Sequence, residues 1–156
     1  MSIELKCVTS PTPEARRLIE ELDAELNIAY SPEQRHGLDL SRIFRPGILF
    51  FVATIDGESA GCGGVAIDDG FAELKRMYVR PKFRGNGVAQ MIIARLELQA
   101  LSHGIYRVVL ETGDAQLAAM RFYQRQGYRK CGAFGEYATM PPASIERSVF
   151  FEKDLS

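Results

Sequence analysis

Arg80, Lys82 and Arg84 place three cations within five residues, and Gly85-Asn86-Gly87 follows them directly. Val88 then opens an amphipathic stretch with helical spacing. A glycine turn at a helix N-terminus leaves its first amide N–H groups unpaired and pointing outward. Those amides, and the positive end of the helix dipole, suit an anion such as a pyrophosphate. The flanking cations strengthen the same preference. The plainer alternative is a tight strand-to-helix joint that binds nothing.

The elements that must position this turn follow from the surrounding pattern. Glu73 to Val79 mixes β-formers with single polar residues and stops before Pro81, which cannot donate to a strand ladder. Strict alternation gives Glu73, Lys75, Met77 and Val79 one face, and Leu74, Arg76 and Tyr78 the other. After the turn, Val88, Ile92, Leu96 and Ala100 share a helical face with Ile93 beside it, and His103-Gly104 ends the helix. Tyr106 to Glu111 is a second strand. Strand, helix and strand with short joints form a βαβ unit, so the two strands are parallel neighbours.

Upstream, Ile3 to Val8 reads as a strand. Thr12 is placed as an N-cap before Pro13, and Ala15, Leu18, Ile19, Leu22 and Leu26 follow at helical spacing. Ser31-Pro-Glu-Gln34 has the form of a capping box and predicts a second, shorter helix. Ile48 to Ile55 and Ala60 to Ile67 form a hairpin around Asp56-Gly57. Gly61, Gly63 and Gly64 mark a bulge or a close approach in the return strand. Asp68-Asp69-Gly70 turns into the strand 71–79, completing an antiparallel meander. Downstream, Asp114 caps a helix over 115–126 that Gly127 ends. Tyr128 to Gly132 and Ser148 to Lys153 are the last strands, antiparallel to each other, with a loop from Ala133 to Arg147 between them.

At 156 residues the chain reads as one domain, 1–156, with room for a sizeable core. The net charge of −1 supplies no global field for nucleic acid or an anionic membrane, so neither is an expected partner. The local positive charge fits a small anionic ligand better than a polymer. Cys7, Cys62 and Cys131 are few and widely spaced, which argues against a disulfide framework or a metal site and for a reducing cytoplasm. No apolar run reaches spanning length, and the N-terminus lacks the pattern of a signal peptide.

The segment Arg84-Gly85-Asn86-Gly87-Val88-Ala89 resembles the acetyl-CoA-binding core of the GNAT superfamily of N-acetyltransferases. That family carries Arg or Gln, two residues, Gly, one residue, then Gly or Ala at this place. A second family feature, Tyr, three residues, Gly and an aromatic, stands here as Tyr123-Gln-Arg-Gln-Gly127-Tyr128. The pair occurs in the family's order with a βαβ unit between, and the strand pattern matches from about residue 3 to 155. One departure is visible: many members have Asn seven residues before the Tyr, touching the cofactor, where this chain has Gln116. Gln donates similarly with a longer reach.

The resemblance implies an α/β fold: a central, mixed, mostly antiparallel sheet of about seven strands with one parallel βαβ pair and helices on both faces. It implies acetyl-CoA as co-substrate, no metal, a small-molecule amine or amino acid as acceptor, and a homodimer. Arg84, Gly85, Asn86, Gly87, Val88, Ala89 and Gln90 would cradle the pyrophosphate through main-chain amides, with Gln116 also at the cofactor. Met77, Tyr78 and Val79 would lie along the pantetheine arm as though it were an added strand. The Met77 N–H would serve the oxyanion. Tyr123 matches the general acid: the departing thiolate resembles a cysteine, with pKa about 8.5, near a phenol's value of about 10. Glu73, four residues before Met77, stands where some members carry a base. A base matters because neutralising a lysine-like amine of pKa about 10.4 at pH 7 costs about 4–5 kcal/mol. Each residue also has a structural reading: Tyr123 as a packed helical tyrosine, Glu73 as a surface carboxylate, Met77 and Val79 as ordinary sheet.

Other polar residues read plainly. His36 and His103 are isolated and suit surface or capping roles. Cys62 is a small core filler without a partner for covalent catalysis. Glu111 lines a cleft or caps the next turn. Tyr30, Arg42, Phe134 and Tyr137 shape an acceptor pocket or simply pack. Of the rival classes, a dinucleotide-binding half-domain lacks its third glycine at Gln90, and a P-loop lacks Gly-Lys-Ser/Thr. A peptide or protein N-acetyltransferase, and a module that binds acyl-CoA without transfer, remain as alternatives.

Overall fold

The computed structural model describes residues 2–156. Seven strands form one sheet in the order β1-β2-β3-β4-β5-β7-β6. They are β1 (Ile3–Val8), β2 (Ile48–Ile55), β3 (Glu58–Ile67), β4 (Ala72–Val79), β5 (Arg107–Gly113), β6 (Arg129–Cys131) and β7 (Ser148–Asp154). Only β4 and β5 are parallel; every other pairing is antiparallel. The expected mixed sheet with one parallel βαβ pair is therefore present. The β2–β3 hairpin turns at Asp56 and Gly57, both with positive φ, as a two-residue turn matching strand twist requires.

Five helices cover the two faces. On one face lie α1 (Pro13–Ala29) and α2 (Leu40–Ile43), packed over Phe50, Val52, Cys62 and Tyr78. On the other lie α3 (Val88–Ser102) and α4 (Leu117–Arg125), packed over Phe51, Leu74, Leu110 and Phe151. The fifth, α5 (Pro142–Ile145), is a single turn in the segment before β7. The expected apolar stripe of α3, Val88, Ile92, Ile93, Leu96 and Ala100, is wholly buried. Thr12 caps α1 by accepting the Ala15 N–H at 3.2 Å, with Pro13 at the first position.

Four local expectations are corrected. The capping box at Ser31 and Gln34 forms, but it opens only a 3₁₀ turn, Pro32–Gln34. Arg35 and His36 then leave the helical path, and His36 Nε2 lies 2.8 Å from the Ser144 carbonyl oxygen. The true second helix starts later, where Asp39 accepts the Arg42 N–H. Asp114 does not cap α4: its carboxylate accepts two hydrogen bonds from the Arg147 guanidinium, and the Ala115 N–H donates to the Tyr30 hydroxyl. The helix therefore begins at Leu117. The segment 133–147 is not plain loop, since it holds a 3₁₀ turn at Gly135–Thr139 as well as α5.

The fourth correction concerns β4. Cys62 pairs with Tyr78 and Gly64 with Lys75, so two residues of β4, Arg76 and Met77, stand opposite Gly63 alone. Arg76 carries the extra residue with φ +57, a left-handed conformation. Alternation therefore changes phase. Glu73, Lys75, Arg76 and Tyr78 face α1 and the segment before β7, whereas Met77 and Val79 turn to the α3 face with Leu74. Glu73 and Met77 do not share a face. The glycines opposite the bulge provide close approach: a Cβ on Gly63 would lie 2.6 Å from the Met77 sulfur.

Candidate active site

The parallel pairing of β4 with β5 runs only from Ala72–Leu74 against Val108–Leu110. Beyond Leu74 and Leu110 the strands separate, and the bulge at Arg76 lies within the parting. The backbone of β4 from Lys75 to Val79 has no strand neighbour on that side. Two cavities open into this wedge. The larger, of about 610 Å³, runs along β4 and the start of α3. The smaller, of about 140 Å³, lies among β4, β5, α1 and the Gln34–Gly37 turn. Leu22, Met77, Gln116, Ala119 and Tyr123 line both.

The larger cavity collects most of the expected cofactor residues. Met77, Tyr78, Val79, Arg84, Gly85, Gly87, Val88, Ala89, Gln90, Gln116 and Tyr123 all line it. Asn86 does not; its side-chain amide donates to the Phe83 carbonyl at 3.0 Å and braces the turn. Gly85 and Gly87 have φ of +84 and +82, which explains glycine at both places. Nothing lies within 4 Å of a Cβ built on Gly85, so the turn is open on its outer side. The first amides of α3 have no helical partner and face a cavity large enough for an extended ligand. Phe83, Phe122, Arg125 and Gln126 also line it. Their types carry no distinguishing signal in the sequence.

The basic loop is less free than its sequence implies. Arg80 is held by Glu21 through two hydrogen bonds of 3.0 and 2.9 Å. Arg84 pairs with Glu25 at 2.9 Å and donates from Nε to the Val79 carbonyl. Lys82 pairs with Glu58. Anion affinity at this turn therefore rests on main-chain amides more than on three unpaired charges.

Tyr123 stands where the cavities meet. The residue is 8% exposed, and its hydroxyl has no hydrogen-bond partner among the described residues. Burial, with a smaller contribution from the Glu111 carboxylate, pushes its phenol up to about 12. Like an ordinary phenol it is protonated throughout the physiological range, as a proton donor must be. The shift makes it a weaker acid towards a thiolate than an unburied phenol would be.

Glu73 lies in the smaller cavity within a tight network. Its Oε2 is 3.0 Å from Lys75 Nζ and accepts the Tyr137 hydroxyl at 2.7 Å. Lys75 Nζ also donates to the Tyr137 oxygen at 3.0 Å. Glu111, at the opening end of β5, accepts the Ser148 hydroxyl at 2.7 Å. Its carboxyl is raised above the usual range chiefly because burial penalises the charge; Ser148, His36 and Lys75 oppose this, and Glu73 adds to it. A carboxylate of raised pKa is a better proton acceptor at neutral pH. Of the two readings the sequence offers for it, lining a cleft or capping the next turn, the structure has the first, since Glu111 lines the smaller cavity. His36 and Tyr30, which read as surface and variable-end residues, both line this cavity. Tyr137 lines it too, while Phe134 belongs to the neighbouring aromatic cluster. Burial pushes the Cys62 thiol up to about 12, so it is an inert core group.

Among the described residues no group of three or more His, Cys, Asp or Glu side chains is placed to hold a metal ion, and no helix is long and apolar enough to cross a membrane.

Comparison with known proteins agrees with this geometry. The acetyltransferase (GNAT) family profile matches residues 15–128. An IAA acetyltransferase of Azospirillum brasilense is 40% identical over 141 residues, covering 89% of each chain. A crystal structure of a Klebsiella pneumoniae protein named as an acyl-CoA N-acyltransferase superposes with a TM-score of 0.82 at 31% identity, covering 99% of this chain and 98% of that one. The PaiA N-acetyltransferase of Thermoplasma acidophilum, solved with coenzyme A, shares the fold with a TM-score of 0.71 at 19% identity over 99% of each chain. A parted β4–β5 pair with a glycine turn beside it, a family profile over most of the chain and a relative matched across nearly its whole length lead to one assignment: the chain belongs to the GNAT family of acetyltransferases, which use acetyl-CoA.

Proposed function

We propose that the protein moves an acetyl group from acetyl-CoA to the primary amine of a small molecule or amino acid, by direct attack within a ternary complex. The observation that carries this reading is the meeting of two cavities at one unpartnered hydroxyl, that of Tyr123. A long ligand in the larger cavity and a small one in the smaller would present their reacting ends to each other there. Acetyl-CoA supplies the activated acetyl thioester. The amides of the Gly85–Gln90 turn bind its pyrophosphate, and the open edge of β4 runs beside its pantetheine arm.

In the smaller cavity, Glu111 takes the proton of the acceptor's ammonium, directly or through water. Glu73, paired with Lys75, holds the network around it and is the alternative proton acceptor. The bulge at Arg76 frees backbone at Met77, whose N–H donates to the oxyanion that forms as the amine attacks. Tyr123 then gives its proton to the departing sulfur. The ammonium loses two protons in becoming the amide. The first goes to the carboxylate before attack and from there to solvent. The second leaves the nitrogen of the tetrahedral intermediate and restores, through solvent, the Tyr123 hydroxyl whose proton has gone to the departing sulfur.

The experiment is a thiol-release assay with acetyl-CoA and a panel of small amines, amino acids and peptides. Amine-dependent thiol release from small acceptors is expected. Release with peptides only would replace the small-acceptor reading, and binding of acetyl-CoA without release for any amine would replace transfer with simple acyl-CoA binding.

A further inference from the structure

The smaller cavity holds cationic capacity that the chemistry above does not use. Arg76, on the bulge of β4, has a side chain only 4% exposed. Its Nη2 donates to Asp23 Oδ1, and its Nε is buried with no hydrogen-bond partner. Arg35 reaches the same Asp23 oxygen, with Nη1 at 3.7 Å. That is beyond hydrogen-bond length, and its Nε is also buried without a partner. Two guanidinium groups thus share one carboxylate. Each offers five N–H donors in a rigid fork, and most of these are unspent. The two Nε atoms are sealed from solvent, but Arg76 spends only Nη2, and Arg35 makes no side-chain hydrogen bond among the described residues. Both residues line the cavity, so their remaining Nη donors are available to a partner that arrives from outside.

Of the other cations of the cavity, Lys75 already has its carboxylate, Glu73. The one lining carboxylate without an ion-pair partner among the described residues, Glu111, accepts from Ser148 and belongs to the amine end. The uncompensated positive charge lies on the arginine pair. The chain also makes room for it: a Cβ on Gly37 would overlap the Arg76 guanidinium. The left-handed conformation of Arg76 is itself unfavourable for a non-glycine residue, and it delivers this guanidinium to the cavity wall.

We infer that the acceptor carries a carboxylate bound by Arg35 and Arg76, so the acceptor class is amino acids and related amino carboxylates. This rests on the acetyltransfer reading for the amine end alone. A guanidinium fork matches a carboxylate in two parallel hydrogen bonds, which neither an amide nor an alcohol reproduces. The cavity is then bipolar. Its arginine end takes the carboxylate, and its Glu111–Tyr123 end takes the amine. Its volume of about 140 Å³ suits a single small metabolite rather than a chain.

The test is binding to the full-length protein saturated with coenzyme A, measured by calorimetry. The probes are the common amino acids, each against its own α-carboxamide. At least one acid is expected to bind about tenfold or more tightly than its carboxamide, the scale of a charge-assisted pair. In Arg35→Gln that preference is expected to shrink to less than about threefold. Arg76→Gln is the second variant, and if the altered bulge prevents folding Arg35→Gln still decides. Carboxamides binding as well as acids, no acid binding, or an unchanged preference in Arg35→Gln would each overturn the inference. Thiol release measured in parallel separates the two readings. Equal transfer to acids and carboxamides removes the carboxylate site and keeps acetyltransfer. Tight acid binding without thiol release keeps the site and removes acetyltransfer.

Discussion

At Tyr123 and Glu111, burial is the main cause that raises the pKa of each group. The Tyr123 hydroxyl has no protein partner, so its removal should cost activity without costing stability. Tyr123→Phe is expected to lower kcat about a hundredfold, the scale of a general acid, with an unchanged melting temperature. Steady-state kinetics and calorimetric melting check the two halves. Glu111 shows the opposite coupling. Its folded pKa is raised, so the native state binds more protons than the unfolded chain above the ordinary carboxylate range. The stability this group gives is complete below its unfolded pKa and is lost as pH rises through the folded value. Glu111→Gln, which can still accept from Ser148, should therefore melt higher than the parent at pH 7, and the gap should close towards about pH 4. The same variant should lose the acidic limb of its kcat/KM profile. A profile that keeps that limb would assign the proton to another group, Glu73 first.

At the level of elements, the decisive feature is one extra residue in β4. It changes which face Met77 and Val79 occupy, and it lies where β4 leaves β5. The neighbouring strand accommodates it with glycine at positions 61, 63 and 64 and only the small Cys62 among them. A Cβ on Gly61 would lie 2.5 Å from the Tyr78 carbonyl oxygen and 3.3 Å from Val79 Cα, both backbone atoms that cannot swing aside. Gly61→Ala should therefore destabilise the fold by about 1–3 kcal/mol, read from urea midpoints, and weaken acetyl-CoA binding as β4 shifts. Facing this strand, α1 places Glu21, Asp23 and Glu25 against Arg80, Arg76 and Arg84. The exposed Arg84–Glu25 pair contributes little to stability, whereas the two-bonded Arg80–Glu21 pair fixes the start of the glycine turn.

For the whole molecule, the wedge is a gap in the middle of the sheet that the chain leaves unfilled. A ligand that fills it should act as a missing strand and stabilise the native state. At about a hundredfold excess over Kd, binding contributes about 2.7 kcal/mol. For a chain of this size that raises the melting temperature by about 5–10 °C. Differential scanning fluorimetry with acetyl-CoA should show this shift and NAD should not. An equal response to NAD would show that the gap does not distinguish the coenzyme from another pyrophosphate-bearing nucleotide.

Much of this protein is legible in its sequence, because the signals are local. Periodicity places α1 and α3, Asp56-Gly57 fixes the hairpin, and Gly85-Asn-Gly87 with Tyr123-Gln-Arg-Gln-Gly127-Tyr128 marks the cofactor side and the family. Each depends on residues within a turn or two of one another. What the tertiary structure alone decides is long-range. Arg147 draws Asp114 away from capping a helix, acids on α1 occupy the cations beside the glycine turn, and Arg76 enters a left-handed conformation that overturns strict alternation. The assembly of the smaller cavity belongs to this second group, although Glu73, Glu111 and Tyr137 are each candidates one by one. His36, Glu73, Glu111 and Tyr137 come from four separate segments, and no spacing along the chain records a meeting that only folding produces.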